Sequence, residues 1–385
     1  MNTTDKMKSE CNKKRILQVN IDNNGGNGAF SLVYNLYEVL SDQYIFDFFT
    51  MGNFIASKEV IKIKENGGQV YSGNLRQSRF LGHILLPFHF YKFLKTHKYD
   101  IVHIHSEVAY KHFLYALPAR LAGTSKIIIH SHSNNVDGDK RELKRIFHHL
   151  FKPLVCALGT DFIAISPQTA VWMFTKKVRM GKRFYYLTNG INPHKYIFNN
   201  SIRNSMRNKL NISNDKIVIG HVGSLKKVKN QQMLIRLLSY CNSIENKYEL
   251  VLVGDGNDYE MLHELAVHCH QSDSIHFLGS RDDVSDILQA MDVFCFPSLF
   301  EGVPMSLIEA QAAGIPVIAS ENISEDIKIN ENVEFLPIGT NYKEWKAHID
   351  KDINTHLHEK GYYNISESKY NINNSASKLN DIYKD

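Results

Sequence analysis

The chain has 385 residues, of which 43% are hydrophobic and 22% are charged, and its formal net charge is +5. This balance excludes an intrinsically disordered or fibrous protein, and the length suits two domains or one large domain. The most apolar stretch, residues 80–94, includes two His, one Lys and one Pro, so it is too short and too polar to span a bilayer.

Two further features bear on location. The five Cys are dispersed and form no C-x-x-C pair, which disfavours a disulfide framework and favours a reducing compartment. Residues 1–15 are polar and lack the apolar core of a signal peptide, so we interpret them as a disordered tail. We therefore expect a cytoplasmic protein.

From residue 16 onward, short β-branched runs alternate with helical patterns. ILQVNI (16–21) predicts a strand, NNGGNG (23–28) a loop and AFSLVYNLYEVL (29–40) a helix. Further buried-strand candidates are FDFFT (46–50), DIVHIH (100–105), KIIIH (126–130) and DFIAIS (161–166). This βαβ repetition indicates a parallel sheet that is covered by helices on both faces.

Charge divides unevenly between the two halves of the chain. Residues 1–190 hold 26 Lys/Arg and 14 Asp/Glu, a net +12, whereas residues 191–385 have a net charge of −7. The basic half is interpreted either as a solvated surface or as a surface that contacts anionic lipid or an anionic polymer. The sequence contains no recognisable RNA- or DNA-binding motif, so we do not expect a nucleic-acid partner.

After a polar segment, 196–215, a second series of strand candidates begins. These are KIVIGHVGS (216–224), YELVLVGDG (248–256), SIHFLG (274–279), DVFCFPS (292–298) and IPVIAS (315–320). We expect two doubly wound domains, 16–195 and 216–362, joined by a linker, with a closing helix in 363–385. Ligands of such sheets bind beyond the carboxyl ends of the strands, so the cleft between two facing domains is the expected site.

Two glutamates flank the start of one predicted helix in this second half. Glu301 lies in a loop after a buried strand, and Glu309 lies about one turn into a helix that begins near Pro304 and stops at Gly314. Free N–H groups around Val303 to Ser306 favour an anion there. Carboxylates suit the paired hydroxyls of a ribose, and a solvated Glu301 with a surface Glu309 is the structural alternative.

Two H-x-H pairs occur on adjacent strand candidates, His103 with His105 and His130 with His132. Residues i and i+2 share one face of a strand, so each pair points to one side of the sheet. Three interpretations remain open: buried structural histidines, substrate contacts and a zinc site, the last disfavoured because no carboxylate pattern accompanies them. His105 and His132 lie nearest the strand ends and are the candidates for the active cleft.

Two polar loops are also candidates. Gly26 and Gly28, in the loop before the first helix, let the backbone approach a phosphate or an acceptor closely, although a simple strand–helix turn is the alternative. Asp137-Gly138-Asp139 resembles a metal-binding D-x-D motif, but we interpret it as a turn with a helix cap. We expect no metal.

The E-x7-E spacing, with the FPS-x-x-EG-P lead and the IEA-x-A-x-G-x-PVI-S trail, resembles the retaining glycosyltransferases of family 4. Supporting segments lie in family order along nearly the whole chain: VHIH…HSHS, LTNGIN, HVGSLKKVKN, LVLVGDGND and IHFLGSRDDV. The likeness is greatest to bacterial enzymes of exopolysaccharide and capsule assembly. It implies the GT-B fold, in which two Rossmann-like domains face across a cleft and a C-terminal helix crosses back to the N-terminal domain.

The resemblance also implies roles for residues. Glu309 would bind the nucleotide ribose, Glu301 would position the donor sugar, Lys229 would contact the donor diphosphate and His105 would lie near the transferred sugar. Ser224 stands where the family usually has an Arg, which is a departure at the diphosphate site. Further donor contacts are expected at Gly223, Ser224, Gly254, Arg281, Val303, Pro304, Met305 and Ser306. Acceptor contacts are expected at Gly26, Gly28 and His132.

The implied activity is transfer of a hexose or N-acetylhexosamine, with retention, from a nucleotide-diphosphate sugar. A UDP-sugar is the expected donor, and the expected acceptor is a glycan or a polyprenyl-diphosphate-linked sugar. Separately, basic residues flank the apolar runs 80–94 and 145–154, which predicts attachment to the anionic inner face of the plasma membrane through residues 74–98 and 140–153. The resemblance implies no cofactor. The alternatives are a nucleotide-sugar epimerase or hydrolase of the same fold, a retaining glycosidase, and a non-enzymatic adaptor that binds membrane or polysaccharide.

Overall fold

The computed structural model describes residues 13–22, 28–55, 57–75, 79–133, 141–339 and 341–385. The chain divides into two compact units: the first comprises residues 1–189 with 372–385, and the second comprises residues 190–371. The expected tail, 1–15, falls mostly outside the described residues, and the first strand already begins at Arg15.

Among the described residues, the first unit is a parallel α/β sandwich. Its elements are β1 (Arg15–Val19), α1 (Gly28–Leu40), β2 (Ile45–Thr50), α2 (Lys58–Glu65), β3 (Val70–Ser72), α3 (Arg79–Thr96), β4 (Ile101–Ser106), α4 (Ala109–Ala122), β5 (Lys126–Ser131), α5 (Arg141–Leu158), β6 (Asp161–Ala164), α6 (Pro167–Met173), α7 (Lys176–Arg179) and β7 (Phe184–Tyr186). The sheet order is β3-β2-β1-β4-β5-β6-β7, and the pairings are parallel.

The second unit repeats this architecture within the part of the chain that is described. Its elements are α8 (Asn200–Lys209), β8 (Ile217–Val222), α9 (Gln231–Ile244), β9 (Tyr248–Val253), α10 (Tyr259–His268), β10 (Ile275–Phe277), α11 (Val284–Gln289), β11 (Val293–Phe296), α12 (Met305–Ala312), β12 (Val317–Ser320), β13 (Val333–Leu336), α13 (Tyr342–Asp352) and α14 (His358–Glu367). The parallel sheet has the order β10-β9-β8-β11-β12-β13.

The last helix, α15 (Ile372–Lys384), belongs to the first unit and packs against α1. Its buried residues, including Leu379 and Tyr383, join the core on one face of the first sheet. The hydroxyl of Tyr44 on the edge of β2 donates to Asn380 Oδ1 at 2.6 Å. The chain therefore returns to its N-terminal unit after completing the second one.

Both sheets are buried on both faces. In the first unit one core cluster packs under α1 and α15 and another under α3, α4 and α5. The second unit also has two clusters, and the Cβ-free Gly220 of β8 lets the Met291 side chain pass over the sheet. Two doubly wound, Rossmann-like parallel sheets confirm the predicted fold class of each unit.

The segment 196–215, interpreted above as a linker, contains α8, which packs on α11. Arg207 is 2% exposed, and its guanidinium and that of Arg203 both pair with Asp292 at the start of β11. These charges anchor the segment to the second unit. The unit boundaries at 189 and 371 also differ from the sequence-based ones at 195 and 362.

Candidate active site

Strand order reverses between β8 and β11 in the second unit, so the loops after these two strands diverge and leave a crevice. Lys229 follows β8, and Glu301 follows β11. Lys229 Nζ lies 2.6 Å from Glu301 Oε1, and the side chains are only 15% and 16% exposed. The two residues that the resemblance assigned to diphosphate and sugar thus form one ion pair.

Backbone contacts hold the Lys229 loop against the Glu301 loop. Leu299 N donates to Val228 O at 2.8 Å, and the Asn230 amide donates to Pro297 O at 3.2 Å. The Lys229 ammonium also lies 4.9 Å from the centre of the Phe296 ring, a cation–π distance. Strand β11 and the loop after it therefore hold both the Lys229 loop and its ammonium in place.

Of the two predicted glycines after β8 and β9, Gly254 is required by close packing, and Gly223 lies against it beside Lys229. A Cβ on Gly254, whose φ is +132°, would lie 2.1 Å from the Gly223 carbonyl oxygen. A Cβ on Gly223 would lie 3.5 Å from Lys229 Cε. These glycines let the two loops approach each other beside Lys229, which places them at the predicted site whether or not they touch a ligand.

Glu309 is on α12, one turn after its first residue, Met305. The Tyr196 hydroxyl, on a single 3-10 turn before α8, donates to the Glu309 carboxylate. Burial raises the pKa of Glu309, and the hydrogen bond from Tyr196 opposes that rise. Glu309 is thus a half-buried acceptor with one partner already in place.

The helix that carries Glu309 is anchored by a buried amide. Gln311 Oε1 accepts from Ile329 N at 2.9 Å and from Asn330 N at 3.1 Å, and its Nε2 donates to Ile327 O at 3.0 Å. A Cβ on Gly361 of α14 would lie 2.5 Å from Gln311 O, so that helix also packs closely on α12. This support fixes the position of Glu309 relative to the loop that carries Glu301.

The other predicted donor contacts lie in the same unit. Pro304 caps α12 with an extended ψ of 107°, so the backbone N–H groups of Met305 and Ser306 are in the first turn, where a helix has no internal partner for them. Val303 precedes this turn and is exposed. Ser224, in the loop after β8, accepts a hydrogen bond at its carbonyl oxygen from Gln231 Nε2 at 2.9 Å.

Arg281 lies apart from this group. It follows β10 at the sheet edge and makes a bidentate pair with Asp283, at 2.7 and 2.6 Å. The Arg281 guanidinium lowers the pKa of Asp283. Two strands, β9 and β8, separate β10 from β11 in the sheet. The structure therefore pairs Arg281 with Asp283 and does not bring it to the Lys229–Glu301 pair.

In the first unit the two H-x-H pairs form one buried cluster. His105 Nδ1 lies 2.8 Å from His132 Nε2, and His103 Nε2 lies 3.2 Å from His130 Nδ1. Burial lowers the pKa of His132 to about 4 and holds that of the other three well below the usual value. All four rings are therefore neutral at pH 7 and serve as hydrogen-bonding groups.

Nitrogens of His103, His105 and His130 lie within 4.8 Å of one another, a spacing that a metal ion also accepts. Gln18 and Tyr383 already bind two of these rings, since His105 Nε2 is 2.6 Å from Gln18 Oε1 and His103 Nδ1 is 2.8 Å from Tyr383 Oη. The prediction that no metal is needed stays a prediction.

Two predicted loops lie partly or wholly outside the described residues. Gly26 and the segment 137–139 are not described, whereas Gly28 is the first residue of α1. Three site residues were missed by sequence reasoning: Tyr196, Gln18 and Tyr383. Only Tyr196 had a signal, because it closely follows the quoted LTNGIN segment.

Family models match both halves of the chain. The model described as Glycosyltransferase Family 4 matches residues 26–195, and the model described as Glycosyl transferases group 1 matches residues 202–365. Together they cover both parallel-sheet units. Among the described residues, no helix is both long and apolar enough to cross a membrane.

Several known proteins are similar over most of the chain. EpsF of Bacillus subtilis (strain 168) is 29% identical over 82% of this chain and 81% of that protein. The UDP-Gal:alpha-D-GlcNAc-diphosphoundecaprenol alpha-1,3-galactosyltransferase of Escherichia coli is 26% identical over 77% of this chain and 78% of its own length. The capsular polysaccharide biosynthesis glycosyltransferase CapH of Staphylococcus aureus is 25% identical over 77% and 80%.

Solved structures agree on the fold. The crystal structure of Anabaena HepE in complex with UDP and glucose matches with a TM-score of 0.74 and 16% identity, over 96% of this chain and 99% of that one. Sucrose-phosphate synthase from Thermosynechococcus elongatus matches with a TM-score of 0.73 and 15% identity, over 97% and 98%. With family models on both halves and this fold, the chain belongs to the GT-B glycosyltransferases, and one of its relatives is named for capsular polysaccharide biosynthesis.

Proposed function

We propose that this glycosyltransferase moves a hexose or N-acetylhexosamine from a UDP-sugar, with retention of configuration, to a lipid-linked glycan in bacterial surface polysaccharide assembly. The observation that carries the proposal is the buried Lys229–Glu301 pair at the switch point of the second sheet. It brings a cation for a departing diphosphate and a carboxylate for sugar hydroxyls to one place.

The second unit has two further tasks, to stabilise the leaving group and to bind the ribose. A departing nucleoside diphosphate gains negative charge, which Lys229 and the N-terminal turn of α12 stabilise. Glu309, held by Tyr196, keeps acceptor capacity for a ribose diol. Retention follows a front-face route, in which the acceptor hydroxyl attacks on the side of the leaving group. A donor phosphate oxygen then takes its proton, so neither a protein base nor a metal is required.

The donor and acceptor classes are supported by the printed names of similar proteins. One relative is a UDP-Gal-dependent galactosyltransferase of a diphosphoundecaprenol-linked GlcNAc, and one structural neighbour holds UDP and glucose. Ser224 in place of the family Arg leaves Lys229 as the cation to which we assign the diphosphate. Lys226 and Lys227, which precede it, are exposed.

A membrane-bound acceptor also fits the surface of the first unit. Helices α3 and α5 both pack on α4 and expose large apolar side chains: Leu81, Ile84, Leu85, Phe88, Leu143, Ile146, Phe147, Leu150 and Leu154. Exposed Lys92, Lys95, Arg141 and Arg145 lie on the same two helices. Apolar groups beside basic groups suit peripheral attachment to the anionic inner face of the plasma membrane.

The test is a donor screen followed by a product assay. Thermal shifts with UDP, GDP, ADP and CMP identify the nucleotide, and UDP is expected to stabilise the protein most. Turnover is then measured with the matching nucleotide sugars and a short polyprenyl-diphosphate-linked monosaccharide. Proton NMR of the product should show the anomeric configuration of the donor.

Three outcomes would overturn the proposal in different ways. Release of free or epimerised sugar without an acceptor would favour the hydrolase or epimerase alternative. Nucleotide-independent hydrolysis of simple glycosides would favour the glycosidase. Binding of donors without any turnover would favour the adaptor.

A further inference from the structure

A continuous hydrogen-bonded network crosses the first sheet from α15 to the loop after β5. Gln18 of β1 is paired in register with His103 of β4, and His105 is paired with His130 of β5. Because alternate residues share a face, these side chains and His132 all meet on one side of the sheet. The hydroxyl of Tyr383 on α15 hydrogen-bonds both Gln18 and His103.

We infer that Gln18 and Tyr383 are positioning residues, which hold His105 and His132 in one tautomer so that His132 Nδ1 accepts a hydrogen bond from a sugar hydroxyl. This inference deepens the proposed function and rests on it. It adds two residues that touch no substrate and gives His132 a defined chemical role.

The proton positions follow from the partners. Gln18 Oε1 can only accept, so His105 Nε2, at 2.6 Å, carries a proton. A neutral His105 then has a lone pair on Nδ1, and His132 Nε2, at 2.8 Å, must donate to it. A neutral His132 has its own lone pair on Nδ1. The carbonyl of Gln18 thus determines the tautomer of a ring two hydrogen bonds away.

In this orientation the Gln18 amide also sets the proton pattern of the other arm of the network. Gln18 Nε2 donates to Tyr383 Oη at 3.1 Å, which leaves the Tyr383 hydroxyl proton for His103 Nδ1 at 2.8 Å. His103 Nε2–H then donates to His130 Nδ1 at 3.2 Å. If the Gln18 amide were reversed, its NH2 group would face His105, and both arms would change their proton pattern.

Burial keeps this arrangement neutral. His103, His105 and His130 are at most 1% exposed, and the pKa of His132 falls to about 4 because of burial, while nearby Glu107 acts in the opposite sense. Lys111 pairs with Glu107, so the charge of this carboxylate beside the network is compensated. Protonation of a ring would break the alternation of donors and acceptors and is disfavoured near neutral pH.

The open end of the network is His132. It follows β5 at the carboxyl edge of the sheet, where ligands of such folds bind, and it is only half-buried. Among the hydrogen bonds of the described residues, its ring makes only the one to His105. A fixed lone pair there accepts from a hydroxyl and repels a phosphate oxygen, so the ligand group is a neutral sugar hydroxyl.

The direct test is 15N NMR of histidine-labelled protein near pH 7.5. His105 and His132 should both show the Nε2–H tautomer in the wild type. Gln18→Met keeps the side-chain volume and removes both amide groups, and it should give mixed tautomers at both rings. The same variant should lower kcat about tenfold, the lower end of the usual effect of a partner that orients a functional histidine. UDP affinity, measured by calorimetry, should not change.

Tyr383→Phe and Tyr44→Phe form a matched pair. Both remove a phenol hydroxyl at the α15 contact, but Tyr44 bonds Asn380 and lies outside the network. Tyr383→Phe should shift the tautomer signals and lower kcat, whereas Tyr44→Phe should do neither. Equal losses of kcat in the two variants would show that helix docking alone is responsible and would overturn the positioning role.

Two further outcomes decide the matter. An Nδ1–H tautomer of His132 in the wild type would overturn the inference, and so would an equimolar metal ion in the purified protein, because the His103–His130 contact would then be a ligand pair. The NMR result needs no substrate, so it stands apart from the donor screen. If UDP-sugars are not used, the proposed function fails while the tautomer measurement still reports on the network.

Discussion

At the scale of single residues, the ammonium of Lys229 has two neighbours, the Glu301 carboxylate at 2.6 Å and the Phe296 ring at 4.9 Å. Lys229→Ala removes the charge that stabilises the leaving diphosphate and should lower kcat about 10²–10³-fold, the usual cost of one such group. Lys227→Ala is the matched control, because this exposed lysine lies in the same short turn. The measurement is steady-state turnover with the nucleotide sugar that the donor screen selects, and unchanged kcat and KM in Lys229→Ala would refute the assignment.

Calorimetry with UDP alone should distinguish the roles of Glu309 and Glu301. Glu309→Ala removes the ribose acceptor and should weaken UDP binding at least tenfold, about 1.4 kcal/mol. Glu301→Ala leaves the Lys229 cation without its carboxylate, so UDP affinity should stay the same or rise while turnover falls. Tyr196→Phe keeps the ring under α12 and removes only the hydroxyl that binds Glu309, so its effect on UDP should be smaller than that of Glu309→Ala. Equal losses of affinity in both glutamate variants would contradict this division of roles.

The E-x7-E spacing was sufficient to place Glu301 before α12 and Glu309 within it, because a proline start and a glycine stop mark that helix in the sequence. The spacing did not reveal which residues contact these two glutamates. Lys229 meets Glu301 only because β8 and β11 are neighbours in the sheet, and Tyr196 reaches Glu309 from a turn outside both strands. Contacts between distant segments depend on strand order, which local patterns do not encode.

At the scale of elements, the buried strands and the edge strand β10 were predicted, whereas the two edge strands of the first sheet and β13 were not. β4 and β5 are buried throughout, and their β-branched runs, IVHIH and KIIIH, mark them as strands in the sequence. β3 and β7 have three residues each, partly exposed, at the two edges of the first sheet, so they have neither the length nor the hydrophobicity to be recognised. α8 was missed because its sequence, rich in Asn and Arg, is held by charges on Asp292 rather than by an apolar stripe.

Helices α3 and α5 should attach the first unit to anionic membranes. Phe88 on α3 is 68% exposed, and Ile146 and Leu150 on α5 are 64% and 61% exposed. Phe88→Asp with Leu150→Asp should therefore abolish co-sedimentation with vesicles that contain anionic lipid, and added salt should weaken wild-type binding because of the basic side chains nearby. Val267→Asp, at an exposed apolar residue of the second unit, is the control and should bind like the wild type. Wild-type protein that ignores anionic vesicles at low salt would leave a soluble acceptor as the better proposal.

At the scale of the whole molecule, the two units differ in how many buried neutral histidines they contain. Burial lowers the pKa of several histidines in the first unit: His103, His105, His112, His130, His132 and His148. The second unit has His221 and His356, both with pKa values of about 4, and His358, whose pKa burial also lowers. Acid should therefore lower the stability of the first unit more than that of the second.

The direction in which acid changes the free energy of unfolding follows from proton uptake. In the unfolded chain a histidine protonates near pH 6.5, whereas the folded pKa of His132 is about 4 and that of His112 is about 3. Below pH 6.5 the unfolded state thus binds more protons, and each such histidine removes about 1.4 kcal/mol of stability per pH unit until its folded pKa is reached. Above pH 6.5 this contribution is complete and flat. Hydrogen exchange read by mass spectrometry reports on the two sheets separately, because peptides from each are measured individually. From pH 6.5 to pH 5, protection of β1, β4 and β5 should fall more steeply than that of β8, β9 and β11, and equal slopes in the two sheets would show that the histidine cluster is not buried in neutral form.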